Sequence, residues 1–175
     1  MRPVTVHAVI SAPREEIFDL IADLSRRPAW TDHWLRDFRL ARANPVGLGA
    51  AARFFVHPPL RPRVWAEISI AEADRPRRLV EEGRTGRIGR SRLAAVYELS
   101  SAGPGATRVS LTTWTEPGHP MDALKEAIGV RGWLRRQSKT ALGRLRAVFE
   151  NPPKGQLARV DLAGWEPLKK ARFGA

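Results

Sequence analysis

Six segments that alternate apolar and polar residues follow one another with no helical stretch between them. They are Leu35–Ala43, Ala50–His57, Val64–Ala71, Leu79–Thr85, Arg92–Ser100 and Thr107–Glu116. Period two is the signature of strands with one buried face. The segments between them are turn chemistry: Asn44–Gly49, Pro58–Pro62, Asp74–Pro76, Gly86–Gly89 and Ala102–Gly105. Parallel neighbours need a crossover of a dozen or more residues, and these connections are too short. The constraint is therefore a mainly antiparallel sheet. Val4–Ser11 alternates in the same way and adds a strand ahead of the six.

Two short helices are predicted between that first strand and the rest. Ser11 or Ala12 stands at the cap position, Pro13 is pre-set for a first turn, and Glu15 and Glu16 suit the positive helix end. Ile17, Phe18, Leu20, Ile21 and Leu24 then form an apolar stripe. Ser25–Trp30, with Pro28 early in it, reads as the second. After the last strand, Met121–Glu150 carries Leu124, Ile128, Leu134, Ala141, Leu142 and Leu145 at helical spacing, with Trp133 near the same face. Some thirty residues at 1.5 Å each would span roughly 45 Å, enough to cross a sheet. Gly129 and Gly132 mark a break point, and Asn151-Pro152-Pro153 ends the pattern. The fold class is α+β, with one domain over 1–153 and a basic tail over 154–175.

Charge narrows the partners. There are 30 Lys+Arg against 18 Asp+Glu, a net +12, and five of the cations are lysines, so 25 are arginines. Residues 1–116 carry 18 cations and 13 anions; residues 117–175 carry 12 and 5. The excess is concentrated in the last third, on the polar face of the long helix and in the tail. That suits peripheral contact with an anionic membrane. Nucleic acid is disfavoured, because aromatics are 7% of the chain and most lie at core positions. No apolar run approaches a transmembrane span. Met1–Ile10 lacks the features of a signal peptide, and there is no cysteine, so a cytoplasmic location is expected. Histidines 7, 33, 57 and 119 have no metal-site spacing, and no nucleotide motif follows the first strand. No metal or cofactor is expected, and the chain is expected as a monomer or homodimer. The Gly83–Arg92 stretch, rich in glycine and arginine, reads as a solvated hairpin rather than a phosphate cradle.

The ordered set of segments resembles a known family. Val6-His7-Ala8-Val9-Ile10-Ser11-Ala12-Pro13-Arg14-Glu15-Glu16-Ile17-Phe18-Asp19-Leu20-Ile21-Ala22-Asp23 is similar to the opening strand and helix of the START/Bet v 1-like (SRPBCC) superfamily, in its bacterial polyketide cyclase/dehydrase-like group. Arg27-Pro28-Ala29-Trp30 resembles its second helix. Glu72–Val80 resembles its acidic/proline turn, and Gly105–Thr112 its last hairpin. The resemblance covers about residues 4–150. It implies a helix-grip fold: a curved antiparallel sheet of about seven strands wrapped around a long C-terminal helix, with an apolar cavity of several hundred Å³ between them. It also implies binding of a small hydrophobic molecule of polyketide, lipid or aromatic type, with cyclisation or dehydration as the chemistry where there is any. The alternative is a basic module for anionic lipid surfaces or nucleic acid.

Alternation then supplies the site. Ala66 and Ile68, Ala95 and Tyr97, and Leu111, Thr113 and Thr115 fall on the apolar faces of their strands. Trp30 and Phe54 join them, and Leu124, Ile128, Leu134 and Ser138 face them from the helix. Core packing accounts for the same alternation. Tyr97, the sole tyrosine, would orient a ligand carbonyl or donate a proton; a core tyrosine is the other reading. Asp32 beside His33 at the cavity mouth suits acid–base work, and Arg53 would stabilise an enolate. Solvent-facing positions are the alternative for all three. Glu67 and Glu82 are expected on the outer face.

Overall fold

The computed structural model describes residues 2–59, 62–86, 89, 91–119, 129–151 and 160 of the chain. Seven strands make one antiparallel sheet: β1 (Val4–Ile10), β2 (Arg36–Leu40), β3 (Ala51–Val56), β4 (Val64–Asp74), β5 (Arg78–Thr85), β6 (Ser91–Gly103) and β7 (Ala106–Glu116). Their order is β1-β7-β6-β5-β4-β3-β2. The six later strands form a plain meander, as short turns require. β1 closes the other edge by pairing with β7, from Val4↔Thr113 to Ile10↔Thr107.

The helices account for the rest of the core. α1 (Arg14–Ala22) buries Ile17, Phe18, Leu20 and Ile21. Its N-cap is Pro13, which makes no capping side-chain bond. The cap expected at Ser11 or Ala12 is therefore displaced: Ser11 lies too far ahead of the first turn, and its Oγ donates to Glu150 instead, at 3.3 Å. The expected second helix is two pieces, a 3-10 turn at Leu24–Arg26 and α2 (Pro28–Thr31). Asp23 caps the first piece, its Oδ1 accepting from the Ser25 N–H at 2.9 Å. The long helix α3 runs Val130–Glu150. Gly129 precedes it at φ 76°, a left-handed conformation that a continuous helix cannot contain and glycine adopts readily. Residues 121–128, with Leu124 and Ile128, lie outside the described residues, as does the tail apart from Val160. The Val160 N–H donates to the Ser25 carbonyl at 3.2 Å.

α3 packs on β1, β7 and α2. Its inner face buries Leu134, Ala141, Leu142 and Leu145. Each fully buried leucine is worth about 1.5–3 kcal/mol, so this stripe suffices to hold the helix on the sheet. Its outer face exposes Arg131, Arg135, Arg136, Lys139, Arg144 and Arg146. No described helix is long and apolar enough to cross a membrane.

Candidate ligand-binding site

Antiparallel register assembles the site as transverse rows on the inner face of the sheet. One row runs Ile70–Glu81–Ala95–Thr113, and the next runs Leu79–Tyr97–Leu111. A third runs Ile68–Gly83–Leu93–Thr115, and beyond it Phe54 pairs with Ala66 and Ala66 with Thr85. The small residues Ala66, Gly83 and Ala95 sit where neighbouring rows carry bulk. Between this patch and the first turns of α3 lies a cavity of about 140 Å³. It is smaller than the several hundred Å³ expected, because large rings occupy the space. Phe38 stacks on Phe54 with centroids 5.6 Å apart, and Trp34 meets Trp133 edge-on at 5.7 Å.

Ten of the residues proposed from sequence come together at this cavity: Trp30, Phe54, Ala66, Ile68, Ala95, Tyr97, Leu111, Thr113, Thr115 and Leu134. Ser138 is fully buried but does not line it. The other catalytic candidates are elsewhere. Asp32 is exposed and pairs with Arg144 of α3. His33 turns the other way, its Nε2–H donating to the Gln137 carbonyl at 3.3 Å. The two adjacent side chains thus make no acid–base pair. Burial, partly countered by that hydrogen bond, lowers the His33 pKa. Arg53 lies on the outer face, where its Nε donates to Glu67 Oε2 at 2.7 Å. Glu82 is exposed there too.

The polar end of the cavity belongs to two residues that sequence reasoning passed over, Arg27 and Glu81. Arg27 is 2% exposed and Glu81 3%. The Arg27 guanidinium donates through Nη1 to Tyr97 Oη at 2.9 Å and to Glu81 Oε2 at 3.3 Å. Through Nη2 it donates to the Ile21 carbonyl at 3.0 Å and to Glu81 Oε1. Its carbon lies 4.7 Å from the Trp30 ring centroid and 5.5 Å from that of Tyr97, within cation–π range. Trp30 and Tyr97 themselves meet edge-on at 6.1 Å. Burial works against the Arg27 charge, but the Glu81 carboxylate and Tyr97 outweigh it and raise its pKa. Burial pushes the Tyr97 phenol up, only partly relieved by Arg27. The cavity therefore holds a neutralised ion pair and a protonated phenol.

One signal for Glu81 existed: counted from Leu79, period two places Glu81 on the inward face. An isolated carboxylate would be expelled from such a face. What keeps it there is Arg27, which is 54 positions away and has no pattern tying it to β5. Among the described residues no three His, Asp or Glu side chains gather as a metal site.

Residues 1–150 match the family described as polyketide cyclase/dehydrase and lipid transport. No curated protein matches the chain. Solved structures share its fold at low identity. A protein of Chromobacterium violaceum superposes with a TM-score of 0.61 at 17% identity, covering 86% of this chain and 97% of its own. A protein of Thermus thermophilus gives 0.61 at 18%, covering 82% and 94%. The major latex-like protein 151 of Panax ginseng gives 0.61 at 10%, covering 84% and 96%. With the helix-grip architecture and the family match over 150 residues in hand, the chain belongs to the polyketide cyclase/dehydrase and lipid transport family.

Proposed function

We propose that the protein binds a small hydrophobic molecule in the cavity between sheet and long helix. The observation that carries this is the cavity itself: apolar walls from β3, β4, β6, β7 and α3, closed at one end by Arg27, Glu81 and Tyr97. Support also comes from family membership. The trio offers hydrogen bonding rather than a general base. Both Glu81 oxygens accept from Arg27, and Tyr97 keeps its proton. Binding with polarisation of a ligand oxygen fits this arrangement better than a cyclisation that begins with proton abstraction.

Native mass spectrometry of freshly purified protein should find a small organic molecule retained. A melting-temperature screen with small aromatic compounds should raise Tm by mass action. Ala95→Phe fills the cavity, and the rise should vanish in it. No shift with any apolar compound, in a folded wild-type protein, would refute the reading.

A second reading concerns the same helix. Arg131, Arg135, Arg136 and Lys139 are exposed on its first turns and make no ion pair with a described residue. They flank Val130, Trp133 and Leu134 at the cavity wall. This face suits an anionic lipid surface beside the cavity wall. Sedimentation with phosphatidylserine vesicles should be strong at low salt and fall steeply with added salt. Salt-independent or absent binding would remove it.

A further inference from the structure

We propose that the cavity selects uncharged molecules of about one ring that carry a hydrogen-bond acceptor, such as an aryl ketone. This rests on the hydrophobic-binding reading above and adds size, polarity and charge to it.

Size comes from the volume. An apolar cavity of roughly 150 Å³ takes up benzene, and this one is about 140 Å³. A substituted single ring fits. A three-ring system would require Trp30, Trp34 or Phe54 to move.

Polarity comes from which groups are left over. The indole Nε1 of Trp30, the indole Nε1 of Trp34 and the Nε of Arg27 are buried and have no partner among the described residues. All three can only donate. Tyr97 Oη accepts from Arg27, which leaves its own O–H to donate as well. The buried carboxylate at this end, Glu81, is bonded to the Arg27 Nη groups and to none of these three N–H groups. Thr113 Oγ1, also unpartnered, can act either way. Arg27, Trp30 and Trp34 all line the cavity, so an acceptor held within it lies beside these groups. Unmet buried donors are costly. A ligand oxygen or nitrogen lone pair relieves them, whereas a hydrocarbon does not.

Charge comes from the pairing. Among the described residues the buried cation, Arg27, is neutralised by the buried anion, Glu81, so no net positive charge of the cavity wall awaits a carboxylate. An anion would lose its hydration with little return.

The test uses full-length protein and three probes of one ring: ethylbenzene, acetophenone and benzoate. Affinity is read by isothermal titration and by the indole N–H resonances in a proton–nitrogen NMR spectrum. Acetophenone should bind about tenfold more tightly than ethylbenzene, the order expected for one relieved buried donor. It should also bind more tightly than benzoate. It should shift the Trp30 or Trp34 indole resonance, assigned from Trp30→Phe and Trp34→Phe. Where a variant still folds, the preference for acetophenone should shrink in it; Tyr97→Phe provides a further comparison. Equal affinity for acetophenone and ethylbenzene would overturn the acceptor requirement. Tighter benzoate would overturn the uncharged class. Anthracene binding in place of all three would overturn the size limit. Failure of every apolar compound would instead bring down the hydrophobic-binding reading itself.

Discussion

Arg27 and Glu81 face each other at the closed end of the cavity, both nearly excluded from water and joined by two hydrogen bonds. Removing one partner leaves an uncompensated buried charge, which costs about 3–5 kcal/mol. Replacing both with apolar residues of similar size removes the desolvation penalty along with the attraction, and is often neutral. Arg27→Met and Glu81→Leu should therefore each destabilise strongly, while the double variant should be more stable than either single one. Urea unfolding of the four proteins checks this. Additive losses would show that the pair is not coupled as described.

Tyr97 is the only tyrosine, so tyrosinate absorbance reports one group. Burial raises its pKa above the ordinary 10.0, with the Glu81 charge adding to the effect and Arg27 opposing it. A group whose folded pKa is raised stabilises the protein below its unfolded pKa. That stability is lost as pH rises from about 10 toward the folded value. Absorbance at the tyrosinate band should stay flat through pH 10 and rise only with loss of circular dichroism. Tyr97→Phe should abolish the signal and cost roughly 1 kcal/mol for the lost hydrogen bond with Arg27. Tyrosinate appearing near pH 10 in folded protein would contradict the buried, hydrogen-bonded position.

The fold was legible because two periodicities never mix in this chain. Val64–Ile70, Leu93–Leu99 and Val109–Thr115 alternate cleanly, and antiparallel register then fixes which of them are neighbours. That is why Ala66, Ala95, Tyr97 and Leu111 could be placed on one face without coordinates. The polar end was not legible. Period two turns Glu81 inward and Glu82 outward, but the rule that charge faces water argues against an inward carboxylate. Its exception needs a counter-charge that arrives through tertiary folding, from the short turn before α2. Cavity volume was not legible either, since it depends on how the Trp30, Trp34 and Trp133 rings pack. Asp32 and His33 failed as a pair for a local reason: neighbouring side chains point apart, and each found a partner on α3.

His33 lies beside α3, near Arg144, Asp32 and Arg36 as well as the Gln137 carbonyl. Desolvation lowers its pKa below the ordinary 6.5; the Gln137 bond and Asp32 oppose this, while Arg144 and Arg36 add to it. Above pH 6.5 both folded and unfolded chains hold it neutral. Below 6.5 the unfolded chain takes up the proton first, so stability falls as pH drops toward the lowered folded value. The stability of wild type relative to His33→Gln should fall as pH drops below about 6.5. A constant difference across that range would mean that His33 titrates normally.

Gly83 sits in the middle of the inner face, opposite Ile68 on β4 and Leu93 on β5's other neighbour β6. A Cβ built there would overlap the Glu67 carbonyl oxygen and lie 2.9 Å from the Ile68 Cα. Both are backbone atoms, so no rotamer change relieves the contact; the β4–β5 ladder itself must shift. Gly83→Ala is therefore the opposite of a usual glycine replacement, which stabilises by stiffening the unfolded chain. It should cost about 3 kcal/mol, at the upper end for overpacking. Because Glu81 lies two residues away on the same strand, the shift should also loosen its pairing with Arg27. Thermal unfolding and the indole N–H resonance of Trp30 together read both effects. A variant as stable as wild type would show that the two strands do not approach this closely.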